Sequence, residues 1–210
     1  VSPDGTRSYN AGSQVTLTAI PSANYTFTGW SGACSGTGTC ILAMDGNKTV
    51  TANFVRTFTL TTSAVPPTGG AVSPPGTNTH FSGTSVTITA TPAGGYAFSH
   101  WTGSCSGDGL CTVLMGADLT VVANFVQTFS LTTSAEPSPG GTVTPSGTST
   151  HYSGVSLTLK AAPSDNYAFI GWSGDCAGTG TCSLTMDANK TVTANFVQTF
   201  RLTTSVEPSI

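Results

Sequence analysis

Residues 25–54 read YTFTGWSGACSGTGTCILAMDGNKTVTANF, and the pattern returns as YAFSHWTGSCSGDGLCTVLMGADLTVVANF at 96–125 and as YAFIGWSGDCAGTGTCSLTMDANKTVTANF at 167–196. Each landmark recurs at a spacing of 71: Trp30, Trp101 and Trp172; Met44, Met115 and Met186; Phe54, Phe125 and Phe196. A period held this strictly marks tandem copies of one folding unit. The unit to be stabilised is therefore about 71 residues long, near the lower size at which a single core suffices. Chemistry done once needs one site, whereas copies in series suit a spacer, a multivalent binder or a polymer.

Within each copy apolar residues alternate with polar ones, the period of a strand with one buried face. Val15, Leu17 and Ala19 alternate with Thr16 and Thr18, and Val86, Ile88 and Ala90, and Leu157, Leu159 and Ala161, are the matching sets. Tyr25 and Phe27 open an aromatic strand, a Gly-rich loop between two cysteines follows, and Cys40, Leu42 and Met44 share the next face. Asp45-Gly46-Asn47-Lys48 then turns the chain, since Asp, Asn and Gly tolerate turn dihedrals. The last strand decides the organisation. Val50, Ala52, Phe54, Phe58 and Leu60 keep one parity, as do Val121, Ala123, Phe125, Phe129 and Leu131, with no Gly or Pro between them. The alternation thus predicts a strand running from the end of one copy into the next, through Arg56 and Gln127, rather than a flexible linker. The expected architecture is all-β: small antiparallel repeats at 1–55, 56–126 and 127–197 in an elongated rod, with 198–210 a further leading strand. The Pro/Gly-rich pieces VPPTGGAVSPPGT and EPSPGGTVTPSGT read as an edge or loop excursion, because Pro cannot donate to a ladder.

The six cysteines fall as one pair per copy, Cys34/Cys40, Cys105/Cys111 and Cys176/Cys182. Even numbers in a small, loop-rich unit predict one disulfide per repeat and an oxidising, extracellular location. The spacing is not that of a metal knuckle, and His80, His100 and His151 complete no repeated ligand set. Only 7% of residues are charged and the net charge is −3, so no basic stripe offers itself to nucleic acid. No apolar run is long enough to insert in a membrane as a helix. The chain starts at Val1 without Met and reads as a processed product or a fragment.

The order aromatic-x-F-x-G-W-x-G, variable loop, apolar strand, D-x-N-K turn and T-V-T-A-x-F resembles the divergent internalin-type B-repeat family of bacterial surface and secreted proteins. The resemblance covers the whole chain, three times over. It implies a β-grasp-like, mostly antiparallel unit used as a cell-surface spacer or adhesive module, and no catalytic residues. The second copy departs from it, with His100 in place of the Gly before Trp and Leu119 in place of Lys. An isopeptide crosslink that needs that Lys therefore cannot operate in all copies.

Trp30, Trp101 and Trp172 break parity with the Tyr and Phe before them. Exposed, they would stack on the CH faces of a surface polysaccharide; buried, each would close a small core with its N–H on a loop carbonyl. Few other large residues are present, which favours the core reading. Asp45, Asp118 and Asp187 fall in or beside turns and are too few for calcium. Asn53, Asn124 and Asn195 face away from Phe54 and its equivalents and are expected to bond a neighbouring loop or strand. No Ser-His-Asp order, paired carboxylates or Gly-rich loop opening a helix repeats, so no enzyme, cofactor or metal is expected. The leading reading is a structural stalk or filament subunit; the alternative is an adhesin or carbohydrate-binding module, on its own or appended to a larger secreted protein.

The frame of the repeats adds an expectation about partners. TFTLTTS at 57–63 and TFSLTTS at 128–134 lead copies two and three; TFRLTTS at 199–205 has no unit after it, and copy one has no such strand before it. Phe200, Leu202 and Thr204 are thus candidates to complete the first unit of another copy, head to tail. The competing reading is a segment of a longer chain in which flanking repeats supply both missing parts.

Overall fold

The computed structural model of the chain describes residues 1–207; residues 208–210, the end of the 198–210 segment, lie outside the described residues. The first repeat contributes β1 (Gln14–Leu17), β2 (Tyr25–Gly32), β3 (Cys40–Ala43) and the long strand β4 (Val50–Val65). The second adds β5 (Gly70–Ser73), β6 (Gly76–Phe81), β7 (Ser85–Pro92), β8 (Tyr96–Gly103), β9 (Cys111–Leu114) and a second long strand, β10 (Leu119–Glu136). The third adds β11 (Gly141–Thr144), β12 (Gly147–Tyr152), β13 (Ser156–Pro163), β14 (Tyr167–Gly174), β15 (Cys182–Thr185) and β16 (Lys190–Gln198). Two short 3-10 turns, Pro67–Gly69 and Ser138–Gly140, are the only helical segments among the described residues.

The third repeat shows the complete unit. The second half of β10 lies between β12, which runs antiparallel to it, and β16, while β14 pairs antiparallel on the far side of β16. A separate antiparallel layer is ordered β11–β13–β15. Leu131 of β10, Val143, Leu159, Trp172, Leu184, Met186, Val192 and Phe196 bury their side chains together, one contribution or more from every strand but β12. The alternation explains the set: inward residues of both layers are apolar, and Thr132, Thr142, Thr158 and Ser183 between them face out.

The all-β, largely antiparallel expectation holds, and the structure adds a pairing that alternation does not reveal. Within a repeat, the leading and closing strands are parallel. Leu60–Val65 pair with Leu119–Asn124, and Leu131–Glu136 with Lys190–Asn195. Parallel neighbours need a long crossover, and here the rest of the repeat supplies it.

As the parity argument predicts, β4 and β10 run unbroken through Arg56 and Gln127. Both junction residues are exposed, so the apolar stripe is interrupted by a solvated side chain where one repeat hands over to the next. Arg56 lays its guanidinium 4.7 Å from the ring centre of Phe58. The Pro/Gly-rich pieces are more than loops. Each holds a 3-10 turn and then a short strand, β5 or β11, at the edge of its three-stranded layer, a position that tolerates the neighbouring prolines.

The chain divides into two compact units. One comprises Val1–Pro67, Ala71–Thr91 and His100–Asn124; the other comprises Thr68–Gly70, Pro92–Ser99 and the chain from Phe125 onward. The division cuts through the second repeat. In the second unit the Ala93 N–H donates to the Gly69 carbonyl (2.9 Å) and the Thr128 N–H to that of Gly95 (2.8 Å). A Cβ on Gly69 would sit 2.6 Å from Cβ of Phe125, so only glycine admits this approach.

Candidate functional site

The three tryptophans are buried and hydrogen-bonded in their repeats. Trp30, Trp101 and Trp172 are only 6%, 4% and 7% exposed. The parity break has a local cause. The register of β2 on β4 shifts between Phe27 and Gly29, and that of β14 on β16 between Phe169 and Gly171, each a bulge of one residue. The bulge brings Trp to the same side as the preceding Phe: the rings of Phe27 and Trp30, and of Phe169 and Trp172, meet edge to face at 5.1 Å. Gly29 and Gly171 take the bulge with φ of +141°, a region that favours glycine.

Each Trp also organises the loop that follows it. The Trp30 N–H donates to the Gly36 carbonyl and its indole Nε1–H to the Gly38 carbonyl, both at 2.8 Å. Trp101 does the same with Gly107 and Gly109, and Trp172 with Gly178 and Gly180. The loop is closed by Cys34–Cys40, Cys105–Cys111 or Cys176–Cys182, and no free cysteine is present among the described residues. Closing so short a loop contributes about 2 kcal/mol in the chain-entropy model. Disulfide, bulge and two N–H bonds thus hold one ring, whose buried faces leave no open platform for a sugar. The loop-carbonyl acceptors were invisible to composition; the recurrent Gly-x-Gly that starts six residues after each tryptophan was their signal.

The recurrent polar residues do three jobs. Asn53 Nδ2 donates to the Gly29 carbonyl (3.0 Å) and to Ser31 Oγ (3.1 Å), tying the closing strand across the bulge. Asn124 bonds His100 and Thr102 in the same way, and Asn195 bonds Gly171 and Ser173, so the backbone carbonyl is met even where His100 replaces Gly. Of the turn aspartates, Asp45 and Asp187 pair with Lys48 (2.6 Å) and Lys190 (2.7 Å), which holds both carboxyls below their ordinary pKa. Asp118 belongs elsewhere. It accepts the backbone N–H of Thr59 at 2.7 Å, and this bond depresses its pKa. Asn189 does the same for Ser130 at 2.9 Å. In the 71-residue register Asp118 therefore aligns with Asn47 and Asn189, not with Asp45 and Asp187. Its role is to receive the incoming leading strand.

The first repeat lacks parts that the other two have. A groove of about 500 Å3 opens between residues 1–9, β1, β3 and the start of β4. Met44, Val50 and Leu17 on its walls are partly exposed, whereas Met115, Val121 and Ile88, and Met186, Val192 and Leu159, are buried. Residues 5–10, the counterparts of β6 and β12, form no strand. At the other end of the chain, residues 199–207 form no element, and Phe200 and Leu202 are 85% and 88% exposed; Thr204 is exposed as well.

Little else is arranged for chemistry. Among the described residues no three His, Cys, Asp or Glu side chains gather as a metal site, and no helix is long and apolar enough to cross a membrane. His151 shares a 2.8 Å hydrogen bond with Ser149, and His80 buries an Nε2 without a partner.

Compared with known proteins, residues 1–57, 60–128 and 131–199 each match the family model of the divergent InlB B-repeat domain. No curated protein and no solved structure matches the chain.

Proposed function

The chain belongs to the divergent InlB B-repeat family, and on that premise we propose that it is a non-enzymatic, load-bearing spacer of a secreted or cell-surface bacterial protein. The repeats are taken as 1–55, 56–126 and 127–197. One observation carries the reading: in each complete repeat the strand by which the chain enters and the strand by which it leaves are parallel neighbours, over six residue pairs. Tension along the chain pulls such strands past each other in opposite senses. All ladder hydrogen bonds then bear load together, instead of opening one at a time as in a hairpin pulled from its ends. β4 and β10 pass from one repeat to the next as strand, without a Gly/Ser-rich linker. The disulfides fit an oxidising compartment. Neither cysteine of a pair lies on the entering or leaving strand, so each bridge stiffens its unit without bypassing the ladder. Burial of the tryptophans favours this structural reading over a sugar-stacking module.

Pulling single molecules of the chain by its ends tests the reading. Two high-force unfolding events are expected, one for each repeat that has its parallel ladder, and the first repeat should yield at lower force. Unfolding of all repeats at low force would overturn it.

A further inference from the structure

The groove of the first repeat lies where the leading strand lies in the other two. There Leu60 and Leu131 are fully buried, Thr62 and Thr133 donate their hydroxyls to the Pro74 and Pro145 carbonyls, and Asp118 and Asn189 receive a strand N–H. The first repeat retains each receiving group in the same 71-residue frame: Pro3 for the threonine hydroxyl, Asn47 for the N–H, and Met44 and Val50 for the leucine. The chain also carries a third copy of the strand those groups fit. TFRLTTS at 199–205 keeps the Phe, Leu and Thr of TFTLTTS and TFSLTTS, and all three side chains are exposed.

We propose that residues 199–205 of one chain add as a strand to the first repeat of a second copy, so that the 210-residue chain associates head to tail. The register follows from the other repeats. Leu202 would pair with Lys48 and Thr204 with Val50 in parallel, as Leu131 does with Lys190 and Thr133 with Val192. On its other side Phe200 would face Tyr9 and Thr204 would face Gly5, as Phe129 faces His151 and Thr133 faces Gly147. The added strand would give residues 5–10 the partner that β6 and β12 have, and would bring Leu202 against Met44. Donor and acceptor are different surfaces, so the contact is heterologous and extends as an open chain. Where a repeat precedes residue 1 in a longer protein, its own leading strand fits the same groove; the proposal concerns the 210-residue chain. It goes beyond the spacer reading and is tested apart from it, because force borne by the second and third repeats does not involve this groove.

Sedimentation velocity over a range of concentrations, with amide exchange by mass spectrometry, tests the proposal. The expected result is association that grows with concentration, together with new protection at residues 5–10 and 48–53. Leu202→Asp alters an exposed side chain, so the fold should stand while association weakens by about 10- to 100-fold or more, the loss expected for one buried leucine. A synthetic peptide of residues 199–207, added to the Leu202→Asp chain, should restore protection at 48–53; the same peptide with Leu→Asp should not. A chain that stays monomeric without that protection overturns the proposal. So does a monomer that shows it, which would mean closure within one chain, and so does association indifferent to Leu202→Asp.

Discussion

Replacing Trp172 with phenylalanine separates a ring that holds its loop from one that merely fills space. Phenylalanine can keep the edge contact with Phe169 but cannot donate to the Gly180 carbonyl, now bonded at 3.0 Å. Losing a net hydrogen bond costs about 1 kcal/mol, and the part-buried carbonyl left without its donor can add a similar amount. The smaller ring leaves a void of roughly 40 Å3, which at about 24 cal/mol per Å3 adds about 1 kcal/mol. The sum is about 2–3 kcal/mol. For a unit of about 70 residues each kcal/mol moves the melting midpoint by about 4–8 °C, so the third repeat should melt about 8–24 °C lower. Calorimetry of the 210-residue chain measures the shift, and amide exchange across residues 174–185 assigns it to the loop. Trp30→Phe and Trp101→Phe should behave alike in their own repeats. A shift under about 2 °C with unchanged exchange in the loop would refute the argument, since that is the response of an exposed, uncoupled side chain.

Two further outcomes follow from the same geometry. Asp118 has its pKa lowered from 3.8 by the Thr59 N–H, so its contribution is present above that value and is lost as pH falls through the lower folded one. The Thr59 amide should therefore lose protection in acid while the Ser130 amide, bonded to Asn189, does not lose this contribution; Asp118→Asn should remove the difference, and equal acid loss at both amides would contradict it. Gly140→Ala should destabilise the third repeat by about 1–3 kcal/mol, because its Cβ would lie 2.7 Å from Cβ of Phe196. Gly180→Ala, with nothing within 4 Å, should stay within about 0.5 kcal/mol, and denaturant titration that ranked the two alike would count against the packing.

Much of the repeat was legible because its signals are local. Parity alone marks the inward faces of β4, β10 and β13, and the cysteine pairs lie close enough in sequence that each can meet only its neighbour without distorting the loop. Parity also registered the break at Trp30, Trp101 and Trp172, but a break has no sign. An isolated strand cannot say whether the chain bulges or the ring turns outward; the ladder to β4 or β16 decides it, by leaving one residue between Phe and Gly without a partner. Asp118 stands beside its turn, but its partner was not legible for a related reason. Its chemistry suits a turn, and only the backbone of Thr59, 59 residues earlier in the chain, shows what the carboxylate is for.

The sequence by itself determined the period, the all-β character, the continuity of strands across junctions and the third copy of the leading-strand motif at 199–205, since each rests on residue type and spacing along one chain. The tertiary structure decided which strands are neighbours. Alternation fixes the face a side chain occupies but carries no information on the partner across the ladder or on its direction. The parallel pairing of Leu131–Glu136 with Lys190–Asn195 joins residues 59 apart. It exists because burying Leu131 beside Met186 and Val192 requires the leading strand to enter the core from outside the closing half of its own repeat.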